Sequence, residues 1–79
     1  MGWNRRVLAK RFPCGTVELT VYDVYYDEKG LPNGRSANPS TVFSGDGSLD
    51  WLRQELKQME EAIDKPIIDI DNFPEEFVR

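Results

Sequence analysis

The chain has 79 residues, 39% of them apolar and 30% charged, with a net charge of −4, no histidine and a single cysteine, Cys14. That length makes one domain with a modest core, and the composition is that of a folded globule, not a disordered tail. Without histidine or a second cysteine, an internal disulfide, the usual zinc sites and the Ser-His-Asp and Cys-His catalytic arrangements are excluded.

Residues 3–12, WNRRVLAKRF, read as a first strand. Val7 and Ala9 fall on one face and Leu8 and Phe12 on the other, so periodicity alone does not choose an orientation. Pro13 and Gly15 then mark a turn. Residues 16–26, TVELTVYDVYY, form the clearest strand: Val17, Leu19 and Val21 alternate with polar residues, then the phase shifts to Tyr22, Val24 and Tyr26. A change of phase within one strand predicts a bulge or strong twist near Tyr22. The tyrosines suit a pleated, half-buried surface, with Tyr25 facing out opposite Val24.

Asp27–Gly30 reads as the next hairpin turn, with LPNG just after it as the competitor. A third strand over about 31–37 is poor in apolar residues and contains Pro32, which fits a sheet edge. NPSTVFSGDGS is a loop with a short extended piece at 41–43. Ser48 caps a helix, Asp50 favours its positive end, and Pro66 stops it near Asp64. Leu49, Leu52, Leu56, Met59 and Ile63 recur at spacings of three and four, an amphipathic stripe expected to cover one sheet face and short for a coiled coil, which needs three or four heptads. Ile67, Ile68 and Ile70 predict one more extended segment. NFPEEF reads as a single helical turn with Phe73 and Phe77 on one face.

These elements predict an α+β fold: a three-stranded antiparallel β-meander packed on one α-helix, in the order βββα, with an extended C-terminal tail. Residues 1–79 form a single domain, with a core over about 3–70. The tail, 71–79, either folds back or stays available to dock elsewhere.

Three motifs carry a resemblance. They are W-N-x-R-V at Trp3–Val7, V-Y-Y-D-E-x-G at Val24–Gly30, and the run from Ser48 through Leu49, Leu52, Leu56, Met59 and Ala62 to Lys65 and Pro66. Together they resemble a family of small uncharacterised bacterial and phage proteins, over roughly residues 3–68. The chain departs from that pattern at Arg5, where many members have Tyr, at Tyr22, where His is common, and in its aromatic tail. The resemblance implies a bacterial, prophage or mobile-element setting and carries over no catalytic residue.

Charge is unevenly placed: residues 1–15 hold four bases and no acid, and residues 46–79 hold ten acids against four bases. Asp69 and Asp71, with Asp46, are oxygen donors of the kind that hold magnesium or calcium, but lack the spacing of a calcium loop. Neither a metal nor another cofactor is expected. Arg5, Arg6, Lys10 and Arg11 interleave with Trp3 and Phe12 as on single-stranded nucleic-acid platforms, against an overall pI near 4.7. Trp51 sits off the leucine stripe beside Glu55 and is a common anchor type in protein interfaces. Glu60, Glu61 and Asp64 form an acidic flank.

The expectation is a cytoplasmic, non-enzymatic interaction or regulatory protein that contacts another protein through Trp51, Glu55, Glu60, Glu61, Asp64, Phe73 and Phe77. It would act as a monomer or an edge-strand homodimer and bind no membrane. The first alternative is a phage-type inhibitor of a host nucleic-acid complex, anti-CRISPR-like, acting through the acidic face. The second is weak single-stranded nucleic-acid binding through Arg5, Arg6, Lys10 and Arg11.

Overall fold

A computed structural model of the chain describes residues 2–42, 45 and 47–78. The Phe43 end of the expected extended piece and Asp46 lie outside the described residues. The chain forms β1 (Gly2–Arg11), β2 (Val17–Tyr26), β3 (Pro32–Arg35), α1 (Leu49–Ile63) and β4 (Ile68–Asp69). The strands make one mixed sheet in the order β3-β2-β1-β4. The first three are the antiparallel meander that the sequence predicts. The fourth lies parallel to β1, so β1 is internal as well as β2.

The β1–β2 ladder runs without a break from Gly2↔Tyr26 to Arg11↔Val17. It closes through Phe12, whose amide donates to the Thr16 carbonyl at 2.9 Å, with Gly15 at φ +92°. That φ is one glycine adopts without steric cost. The second turn is Asp27–Leu31. The Asp27 carboxylate accepts from the amides of Lys29 and Leu31 at 2.9 and 3.0 Å, so the side chain organises the turn ahead of LPNG. β3 is the short edge expected of a Pro-containing segment, and the irregularity in the sheet falls between Tyr25 and Tyr26, not at Tyr22.

The phase change in β2 has another cause. Both faces of the sheet are covered, by different elements. Side chains alternate along a strand. Even-numbered residues of β1 and β2 face the C-terminal tail, and odd-numbered residues face α1. Leu8, Val24 and Ile68 form the buried cluster on the tail side, ringed by Tyr22, Tyr26, Ile70 and Phe73. On the other side, Val7, Ala9 and Ala62 are buried. Residues 17–21 therefore place apolar side chains toward the helix, and residues 22–26 toward the tail.

The tail does not form a helical turn. After β4 it reverses through Asn72–Glu75, where the Phe73–Pro74 peptide is cis. It then returns beside β4, with Asp69 N–H donating to the Glu75 carbonyl and Phe77 N–H to the Ile67 carbonyl, both at 2.8 Å. Asp69 holds the reversal, accepting from the Asp71 amide at 3.0 Å and from the Asn72 side-chain amide at 3.1 Å. Phe73 joins the buried cluster. By alternation Phe77 lies on the opposite side, under the Arg11 guanidinium, 4.9 Å from its ring centre. The two aromatic rings thus do not share a face.

Leu8→Ala should lower stability by about 2–5 kcal/mol, the range for a leucine deleted from a closed core, as read by urea denaturation. The Asn72 side chain, followed by the amides of Asp71 and Asn72 and the Arg11 charge, holds the Asp69 carboxyl below its usual value. A depressed carboxyl stabilises the fold above its unfolded value, about 3.9, and that contribution is lost as pH falls through the lower folded value. Amide protection at Asp71, Asn72 and Phe77 should therefore weaken first on acidification. Asp69→Ala should show the weakened protection already at neutral pH.

Candidate functional site

The helix is fixed to the sheet through a charge. Arg5 lies in the middle of the α1-facing side and is 94% buried as a side chain, 6% remaining exposed. Its guanidinium pairs with the Glu55 carboxylate and also donates to the Glu55 backbone carbonyl at 3.1 Å. The Arg5 Nε stands 3.6 Å from Asp23 Oδ1, within Coulombic reach but too long for a hydrogen bond. Asp23 accepts from the Ser40 hydroxyl at 2.6 Å, and the Trp51 indole N–H donates to the other Glu55 oxygen at 3.0 Å. One network therefore links β1, β2, the segment after β3 and the first half of α1. Ser48 caps that helix, accepting from the Trp51 amide.

This anchoring sets the rotation of α1. At 100° per residue, Glu55 and Ala62 lie about 110° around the axis from the line through Leu49, Leu56 and Ile63. Turning Glu55 to Arg5 makes Leu52, Glu55, Met59 and Ala62 the sheet-side positions, all buried or half-buried. The leucine stripe is then only partly covered: Leu49, Leu56 and Ile63 are 68%, 53% and 69% exposed. The expectation that the whole stripe roofs the sheet is not met, because an ion pair and not the stripe's centre is seated on β1.

Two grooves flank α1. A polar one of about 230 Å³ is lined by Trp3, Asn4, Arg5, Gln58, Glu61 and Lys65. An apolar one of about 340 Å³ lies between α1 and β2, lined by Val7, Leu19, Thr20, Val21, Ile63 and Ile67. The second continues the exposed line of Leu49, Leu56 and Ile63, and Leu19 itself is 48% exposed.

The sequence-derived contact residues fall in different places. Trp51 is 42% exposed, with its indole laid against Gly45, where an added Cβ would come within 2.9 Å of the ring. Glu60, Glu61 and Asp64 are exposed, and the last turn of α1 contains no base. On the helix wheel Trp51 and Glu60 are about 180° apart, so they do not share one patch. Glu55 is consumed by Arg5 and Trp51, Phe73 by the core, and Phe77, only 8% exposed, by Arg11. Those three are structural neighbours of the core and do not offer an open docking face.

The four N-terminal bases are also divided. Arg6 donates to the Tyr26 hydroxyl at 2.9 Å and to the Pro66 carbonyl at 2.7 Å. Arg11 covers Phe77 and donates to the Val78 carbonyl at 2.8 Å. Lys10 is 3.8 Å from Asp71. Strand alternation places Arg5 and Arg11 on one face and Arg6 and Lys10 on the other. Cys14 is exposed in the first turn. Its thiol is lowered from the usual value by the neighbouring Thr16 hydroxyl and amide. Among the described residues, no three histidine, cysteine or carboxylate side chains gather as a metal site, and no helix is long and apolar enough to cross a membrane.

The residues that sequence reasoning missed are Arg5 as the helix anchor and Leu49, Leu56 and Ile63 as an exposed line. The signal for the second was the seven-residue spacing of those three within the stripe. No family model, curated protein or solved structure matches the chain.

Glu55→Ala should destabilise the protein by about 3–5 kcal/mol, because it strands the buried Arg5 charge. Leu56→Ala, at an exposed position, should change stability by no more than about 0.5 kcal/mol. Paired urea titrations of the two variants check this; the opposite order would show that the stripe, not the ion pair, seats the helix.

Proposed function

We propose that the chain is a non-enzymatic interaction protein that works by docking the outer side of α1 onto another protein, in the bacterial or prophage setting implied by the resemblance. The observation that carries this reading is the exposure of Leu49, Leu56 and Ile63 along one line of the only helix among the described residues, continuous with the apolar groove over β2. Exposed apolar surface that is contiguous, and not scattered, is the usual mark of a protein contact. Glu60 and Asp64 border that line and would set the rim. Trp51 lies on the other side of the sheet contact, beside the polar groove, and is a separate anchor.

A second reading, inhibition of a host nucleic-acid complex, draws on the exposed acids Glu60, Glu61 and Asp64 at a helix end whose last turn holds no base and where Lys65 alone reaches a carbonyl. Such a face suits a basic channel. Its contact would be dominated by charge and would weaken steeply with salt, whereas an apolar contact through Leu56 would persist.

Affinity capture from bacterial lysate with the wild type, Leu56→Glu and Trp51→Ala separates these surfaces. The apolar docking face predicts a protein recovered by the wild type and by Trp51→Ala, retained in high salt, and lost with Leu56→Glu. Identical recovery by all three variants would overturn the proposal. A partner released by moderate salt and indifferent to Leu56→Glu would favour the acidic-face reading.

A further inference from the structure

We infer that the occupant of the exposed α1 face is a second copy of this chain, its helix lying antiparallel to the first across a two-fold axis near Leu56. This rests on the docking face assigned above and names its partner. Three features of the helix point to it.

The first is self-complementary spacing. Leu49, Leu56 and Ile63 stand seven residues apart, at one repeating position of a heptad, while Leu52 and Met59 are half-buried toward the sheet and border the line. An antiparallel copy centred on Leu56 sets Leu56 against its own counterpart and Leu49 against the partner's Ile63. A two-fold contact must match a surface to itself, and this line reads the same in both directions.

Charge along the rim is the second. Arg53 and Glu60 lie next to the apolar line, about 20–40° around the axis from Leu49. In the antiparallel arrangement their positions sum to nearly the same value as Leu49 and Ile63. Arg53 of each copy therefore faces Glu60 of the other, twice over. Arg53 pairs with Asp50 at 2.9 Å within its own helix, but both groups are largely exposed, 72% and 88%. An exposed pair of this kind is weak and can be exchanged for the intermolecular one.

The third is the helix end. The last turn holds Glu60 and Glu61, followed by Asp64, and no base, so acids crowd the negative end of the helix dipole. An antiparallel neighbour brings its positive N-terminal end alongside those acids. Within the single chain only Lys65, just past the helix, answers them, its ammonium 3.4 Å from the Glu61 carbonyl; the pair adds a positive helix end beside the acids at both ends.

A 15-residue helix is about 22 Å long, so the contact sits at the small end of stable interfaces even with the groove over β2 added. The equilibrium is expected in the micromolar range. Sedimentation equilibrium of the purified chain should show a reversible monomer–dimer equilibrium. Leu56→Glu should weaken association about 30-fold or more, as for a central interface anchor, while circular dichroism stays unchanged because the position is exposed. Arg53→Glu and Glu60→Arg should each weaken it about fivefold, and the double reversal should restore it, since the facing charges then match again. A monomer at every concentration overturns the inference while leaving the docking face to the capture experiment. A dimer unaffected by Leu56→Glu, or one that the double reversal fails to restore, overturns it as well and redirects pairing to another surface such as the β3 edge.

Discussion

Arg5 decides how the molecule is assembled. A guanidinium cannot be buried on the face of a sheet without anions close by, because its desolvation is too costly. Asp23 approaches from the neighbouring strand and Glu55 from the helix, and each is held in turn, Asp23 by Ser40 and Glu55 by Trp51. The network reaches from the first strand to the loop after the third and to the first turns of the helix. Few of its members could be displaced without exposing another to an unmatched charge.

The consequence for the surface is indirect. A helix of ordinary amphipathic pattern turns its apolar stripe toward the core. Here Glu55 must face Arg5, and the small Ala62 lets the helix approach the strand closely at its other end. The stripe is carried sideways by about a quarter turn or more. Leu52 and Met59 remain at the edge of the contact, and Leu49, Leu56 and Ile63 emerge beside β2. An internal electrostatic requirement thus produces an external apolar surface, and the functional reading follows from that displacement.

The opposite side of the sheet is completed by the tail. In a chain this short one helix covers too little area, and Phe73, carried by the reversal after β4, adds cover on the other face. Ile70 and Phe73 pack against Leu8, Val24 and the neighbouring-strand Ile68, and Phe77 is fixed by Arg11. Tyr22 and Tyr26 belong to this layer, with the Tyr26 hydroxyl bridging Arg6 and Asn4. Tyr25 alone of the three faces the other way and is 44% exposed.

The residue pattern by itself determined the meander, both hairpin turns, the cap at Ser48 and the stop before Pro66, because each depends on neighbours within a few positions: alternation, a glycine at positive φ, a hydroxyl before a helix, a ring that forbids one. It also located the apolar spacing of three and four on α1. Tertiary structure alone decided the parallel fourth strand, the reversal of the tail and the rotation of the helix. Arg5 and Glu55 are fifty positions apart, and nothing local marks them as partners; in the sequence Arg5 looks like one base among four and Glu55 like a contact acid beside Trp51. Long-range pairing of charges overrode a local apolar pattern, since the cost of burying an unpaired guanidinium exceeds the gain from covering three more aliphatic side chains.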